Sequence, residues 1–130
     1  MIAAVRIPRL SADQRFFTYK ISKRFDQDIS AVIGAYRLTF EGSRIAEARI
    51  AYGGMAATPK RASACEAAIT GRVWDEATVA AARQAIGSDF APITDFRAGA
   101  DYRATVAANL LARLHLQTTD PDAVAEVFAL

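Results

Sequence analysis

Five ionisable side chains fall within nine positions near the start of this chain: Lys20, Lys23, Arg24, Asp26 and Asp28. Apolar runs flank them on both sides, so the charges form a polar rim fixed at each end, the usual setting for a ligand-facing loop. Lys20 has the clearest chemistry. An ammonium beside a glycine-containing strand can donate to the carbonyl or phosphate oxygens of a ligand. It can equally be a surface lysine laying its stem on apolar neighbours. Asp26 and Asp28 have the spacing of a carboxylate pair for acid–base work, but three cations within a few positions make an ion-paired loop the simpler reading.

The other reactive types are isolated. His115 is the sole histidine and Cys65 the sole cysteine, so neither has a partner for a metal or a catalytic pair. A cysteine-ligated zinc site or iron–sulfur cluster within these residues is excluded, and no catalytic or metal-binding set is expected. Gly53-Gly54 lacks the spacing of a phosphate-cradling loop and reads as a strand-to-helix turn. Lys60-Arg61, placed in the first turn of an expected helix, would oppose the helix dipole and would face an acidic partner or solvent.

The 130 residues suit one domain, 1–130, with a core that needs no disulfide. Sixteen basic and fourteen acidic residues leave a net charge of +2, which gives no basic stripe for nucleic acid. No apolar run approaches membrane-spanning length. The opening residues lack the shape of a signal peptide, and a single thiol suits a reducing cytoplasm.

The elements that must position Lys20 follow from apolar spacing. Ile2 to Ile7 alternates as a short strand stopped by Pro8, and a strand beginning so early suggests a piece of something longer. Ser11 to Asp13 resembles a helix cap, with Phe16, Phe17 and Ile21 as one apolar face, which puts Lys20 in the last helical turn. A loop over 22–27 leads to a strand from Ile29 to Phe40, with Val32, Gly34, Tyr36, Leu38 and Phe40 on one face. Glu41 to Arg44 is a hairpin turn, and a return strand over 45–52 places Ala46, Ala48, Ile50 and Tyr52 together. Thr58-Pro59 predicts a helix over 60–69, Asp75 one that Gly87 stops after Ile86, and Tyr102, Val106, Leu110 and Leu114 one over 101–116. Asp120-Pro121 opens a last short helix, 122–128. Strands first and helices second predict an α+β fold: an antiparallel sheet of three to four strands covered on one face by about three helices.

The strings themselves add more. Tyr19-Lys20-Ile21-Ser22-Lys23-Arg24-Phe25-Asp26-Gln27-Asp28-Ile29-Ser30-Ala31-Val32 resembles the start of the C-terminal domain in the FAD-binding subunit of xanthine dehydrogenases. Ala51-Tyr52-Gly53-Gly54-Met55-Ala56 resembles that domain's strand-to-helix turn, and Thr58-Pro59-Lys60-Arg61-Ala62 its helix start. Asp101-Tyr102-Arg103 leading to Asn109-Leu110-Leu111 resembles the start of its long helix, and Ile7-Pro8 sits where the family has the same pair. The likeness runs from about Ile2 to Leu116. The wider group includes the flavoproteins of carbon monoxide dehydrogenase and related molybdenum hydroxylases.

The resemblance implies a role. In such enzymes a purine is hydroxylated at a molybdopterin centre, electrons cross 2Fe-2S clusters to FAD, and NAD+ accepts a hydride. This domain closes one side of the flavin site. The family's flavin-contacting lysine falls on Lys20 and an apolar flavin contact on Ile2. A cation there favours an anionic flavin, and the charged loop would govern nicotinamide access. The implied partners are the FAD-binding domain of the same subunit and the iron–sulfur and molybdenum-binding parts, with no nucleic acid or membrane. The glycine-containing loop for the FAD pyrophosphate lies in the preceding domain, so this chain alone is expected to be inactive. The alternative is a binding or assembly module that keeps the fold without touching flavin.

Overall fold

The computed structural model describes residues 1–24, 28–120 and 122. Four antiparallel strands form one sheet in the order β1-β2-β3-β4: β1 Gln14–Ile21, β2 Val32–Glu41, β3 Arg44–Gly53 and β4 Lys60–Arg61. Three helices follow, α1 Ser63–Ile69, α2 Glu76–Asp89 and α3 Ala100–Thr119. Helices α1 and α3 lie on the sheet and α2 packs against both. The α+β expectation holds: one antiparallel sheet with helices on one face.

Period-2 burial decides β1. Phe17, Tyr19 and Ile21 point into the helical layer, while Phe16, Thr18 and Lys20 are on the open face. The helix expected there is therefore a strand. Phe16, Phe17 and Ile21 do not share a face, and a run of Phe, Phe, Thr, Tyr and Ile suits a pleated, half-buried surface. The strand expected over 2–7 is absent: Met1 to Leu10 forms no regular element, is exposed and pairs with no strand. A strand without a neighbour has no partner for its backbone groups.

In β2, Val32, Tyr36 and Leu38 are fully buried. Gly34 belongs to the same face, and a Cβ there would overlap the Tyr36 ring and hydroxyl, so the space at this glycine is taken by the protein's own tyrosine. The turn at Gly42 has φ +59°. Beyond it the register shifts between Thr39 and Phe40, so that Thr39 pairs with Glu47 and Phe40 with Ile45. Ala46 is the extra residue of this bulge. Ile45 turns inward and Ala46 outward, which reverses their expected placement, while Ala48, Ile50 and Tyr52 face the core as expected.

The helix expected from Lys60 begins later, because Lys60 and Arg61 pair with Tyr52 and Ala51 as β4. Two carboxylates complete this corner. The buried Glu66 accepts from the Ile50 amide (2.7 Å), taking the place of a strand partner where β4 is too short, and it holds Arg61 through two donors (3.0 and 2.6 Å). Asp89, at the end of α2, accepts from the first amides of α1, Ala64 (2.8 Å) and Cys65 (2.9 Å). Lys60 donates to the Asp89 carbonyl (2.7 Å), at the carboxyl end of α2, where positive charge is favoured.

Asp75 caps α2 through the Thr78 amide, as expected, but Gly87 is carried inside the helix, which runs on to Asp89. Helix α3 extends the expected 101–116 by a turn at its carboxyl end. The helix expected over 122–128 lies outside the described residues apart from Asp122. An aromatic series crosses the core, with Tyr19 to Tyr36, Tyr36 to Tyr52 and Tyr52 to Phe90 at 5.5, 5.6 and 5.6 Å between ring centres. The Tyr52 hydroxyl donates to the Ala107 carbonyl (2.9 Å) and docks α3 on the sheet.

Candidate functional site

Lys20 stands on β1, the edge strand, opposite Ile33 of β2, with its side chain exposed on the face away from the helices. It is not walled in by the chain's own helices. Its position in a helical turn is overturned: strand alternation sends it opposite to the buried Tyr19. Ile2, the second expected contact, is exposed on the leading segment, and no strand pairing joins it to Lys20.

The charged loop is braced at both ends. The Ala31 amide donates to the Ile21 carbonyl (2.8 Å), closing it where β1 stops and β2 begins. Asp28 accepts from the Arg24 amide and from its own neighbour Ile29, both at 3.0 Å, with the Arg24 guanidinium 3.7 Å away. The Arg24 amide is the main cause that holds the Asp28 carboxyl below its ordinary value. Asp28 is thus a loop anchor, as the ion-paired reading has it, while Asp26 lies outside the described residues. Lys23 reaches across to the Phe96 carbonyl (2.8 Å).

Two clefts open beside this loop. One, of about 470 Å³, is lined by Lys23, Arg24, Asp28, Ile29, Phe96 and Arg97. The other, of about 480 Å³, runs from Ile29 and Ile33 past Gly53-Gly54 to Ile93 and Arg97. Their rims are unusually apolar for exposed surface: Ile29, Ile93 and Phe96 are 65, 74 and 80% exposed. Lys20 lines neither cleft, but its cross-strand neighbour Ile33 lines the second.

Arg103, which apolar spacing alone had not singled out, lines the second cleft. Only 3% exposed, its guanidinium donates to the carbonyls of Ala31 (2.5 Å) and Gly54 (2.8 Å) and to the Asp95 carboxylate (2.6 Å). Asp95 in turn accepts from the amides of Arg97 (2.8 Å) and Ala98 (3.0 Å). Backbone donation, then Arg103, keeps the Asp95 carboxyl below its ordinary value. Gly54 has φ +80°, and a Cβ on it would collide with the Ala31 carbonyl. The Gly53-Gly54 turn is therefore filled by the chain itself and does not cradle a phosphate.

The isolated reactive residues take structural places. Cys65 is buried, its thiol pushed up to about 12, mainly by loss of solvation. His115 packs edge-on against Trp74, 5.4 Å between ring centres. Among the described residues no three metal-ligating side chains converge, and no helix is long and apolar enough to cross a membrane.

A family model, the CO dehydrogenase flavoprotein C-terminal domain, matches residues 17–118. The chain belongs to this family. A nicotinate hydroxylase of Emericella nidulans is 32% identical over 120 residues, 87% of this chain but 9% of that protein. Among solved structures, carbon monoxide dehydrogenase from Hydrogenophaga pseudoflava is 28% identical with a TM-score of 0.76, covering 82% of this chain and 37% of that one. Quinoline 2-oxidoreductase from Pseudomonas putida 86 is 26% identical with a TM-score of 0.70, covering 80% and 36%. The chain thus spans about a third of the solved chains it matches. The domain is the C-terminal module of molybdenum-hydroxylase flavoproteins, as the motif strings implied.

The described residues fit one part of a flavin. The exposed Lys20 ammonium and the apolar Ile33 beside it suit the polar edge and flat face of a ring system. The blocked Gly53-Gly54 turn offers nothing for a pyrophosphate.

Proposed function

We propose that this chain closes one side of an FAD site in a molybdenum-hydroxylase-type oxidoreductase, and that most of the flavin is held by a neighbouring FAD-binding domain of the same subunit. The observation that carries this reading is the placement of Lys20: exposed, on the open face of an edge strand, at the end of the sheet where apolar side chains crowd the surface. FAD, when bound, supplies the step between one-electron carriers and a two-electron acceptor. Lys20 donates a charge-assisted hydrogen bond to the flavin and raises the positive potential around it. Ile2, exposed on the leading segment, adds an apolar contact to the flavin. The loop after Lys20, braced by Asp28 and Lys23, borders the path of the electron acceptor.

The parent enzyme is proposed to be of the xanthine dehydrogenase type, hydroxylating a purine in the cytoplasm, with electrons passing from a molybdopterin centre through 2Fe-2S clusters to FAD and NAD+. Support comes from the motif strings around Lys20 and from two relatives, nicotinate hydroxylase and quinoline 2-oxidoreductase, whose names carry nitrogen heterocycles. The isolated chain supplies no catalytic group. Nucleic acid and membranes have no part in the role.

Flavin titration tests this reading. The FAD-binding domain should hold FAD at least tenfold more tightly with this chain present, while the chain alone binds none. Equal affinity with and without the chain would overturn it in favour of a pure assembly module.

A further inference from the structure

We infer that Arg103 is the positioning residue of this site: its buried guanidinium holds the three segments that shape the clefts beside Lys20, and so sets how a bulky electron acceptor reaches the flavin. This rests on the flavin-closing role proposed above. The segments are the end of the charged loop at Ala31, the β3–β4 turn at Gly54, and the connection from α2 to α3 at Asp95.

The cleft-lining residues of all three segments lie outside the helices, and apart from Ile33 and Gly53 they lie outside the strands. One planar fork, with donors aimed in different directions, reaches all three stretches at once. The fit is mutual. Gly54 leaves the space that the Ala31 carbonyl and the Arg103 Nη1 occupy, with that Nη1 3.0 Å from where a Cβ would be. Asp95 passes the constraint on to Arg97, which stacks on the exposed Phe96 ring at 4.6 Å. Lys23 then ties the Phe96 carbonyl back to the charged loop. A closed circuit runs from the Lys20 strand through the loop, Phe96, Asp95 and Arg103 to Ala31, whose amide bonds the residue after Lys20.

A purely structural arginine would hold the fold without affecting the acceptor. Arg103→Lys separates the two roles, since a single ammonium nitrogen lacks the spacing by which Nη1 serves Ala31 and Gly54 while Nη2 serves Asp95. In the assembled flavoprotein, backbone hydrogen exchange of residues 29–33 and 53–57 should rise at least tenfold, with residues 38–41 of β2 and 44–48 of β3 protected as before. The flavin is then reduced with stoichiometric dithionite and reoxidised by NAD+ and by dichlorophenolindophenol in parallel. The half-saturating acceptor concentration should rise about tenfold, with flavin content unchanged. Asp95→Asn, which weakens one arm and spares the buried guanidinium, should shift both readouts in the same direction by less. Uniform loss of protection across the domain, or half-saturation within twofold of wild type in both variants, overturns the inference. If Lys20→Ala leaves flavin binding untouched, the flavin-closing role itself falls. If Lys20→Ala weakens it and Arg103→Lys leaves acceptor saturation alone, only the role of Arg103 falls.

Discussion

Replacing Asp89 with alanine should unravel α1 while leaving the sheet's two long strands paired. The Asp89 carboxylate, itself buried, accepts from the amides of Ala64 and Cys65 at 2.8 and 2.9 Å. Both are among the first amides of a helix, which have no partner within it. The residue at the N-cap, Ala62, supplies no side-chain acceptor, so a residue from the far end of the next helix does the capping. Asp89→Ala leaves two donors without their acceptor, that of Cys65 buried and that of Ala64 partly so. At about 1–3 kcal/mol for each buried unsatisfied group, the loss is on the order of 3 kcal/mol. For a domain of this size that is roughly a 10 °C fall in Tm. Asp89→Asn keeps one acceptor oxygen and should lose about half as much. Thermal melts followed by circular dichroism read the totals, and hydrogen exchange at Ala64 and Cys65 locates them. A fall of less than about 3 °C for Asp89→Ala, or unchanged exchange at those two amides, would refute the capping role.

Two further outcomes follow from burial and charge. Cys65 should resist thiol reagents at neutral pH in the folded chain and react at the rate of global unfolding, since burial raises its thiol to about 12; rapid labelling under native conditions would contradict its placement. Asp95 is held below its ordinary carboxyl value of 3.8 in the folded chain, so its contribution is complete above that value and is lost as pH falls through the lower folded value. Acid titration of stability should therefore show a loss below about 3.8 that Asp95→Asn flattens; an identical acid profile in the variant would count against the Arg103–Asp95 link.

Much of the fold was legible because burial repeats with a recognisable period. The alternation in 32–40, the Asp75 cap and the four-residue spacing from Tyr102 to Leu114 each reappear as built elements. The failures share a cause: local signals that only tertiary partners can settle. Gln14–Ile21 carries apolar residues that fit a helix face or a strand, and pairing with β2 decides between them. Thr58-Pro59 looks like a helix start, yet Lys60 and Arg61 are drawn into the sheet because Glu66 and the Asp89 carbonyl wait for their charges. The bulge that expels Ala46 has no mark in the residues themselves.

The site shows the same division. Lys20 is visible in sequence as a cation among apolar runs, and strand alternation keeps it outward whichever element it was assigned to. Arg103 stands in the Asp101-Tyr102-Arg103 string but carries no sign of its burial, because a charge in a helix ordinarily reads as solvent-facing. Only the three acceptors, converging from 8, 49 and 72 positions away in the chain, reveal it as buried. The Gly53-Gly54 pair reads in sequence as a turn, but nothing in the residues themselves shows that the space at Gly54 is taken by the Ala31 carbonyl and that same arginine.

The most direct test is Lys20→Ala in the assembled flavoprotein, with FAD affinity measured by equilibrium titration and the two-electron flavin potential recorded alongside. Losing one charge-assisted hydrogen bond of about 1.5–3 kcal/mol should weaken FAD binding by roughly ten- to a hundredfold and move the potential to more negative values. The Tm of this chain should change by no more than about 2 °C, since the side chain is exposed. FAD affinity and potential both at wild-type values would contradict a lysine that faces the flavin.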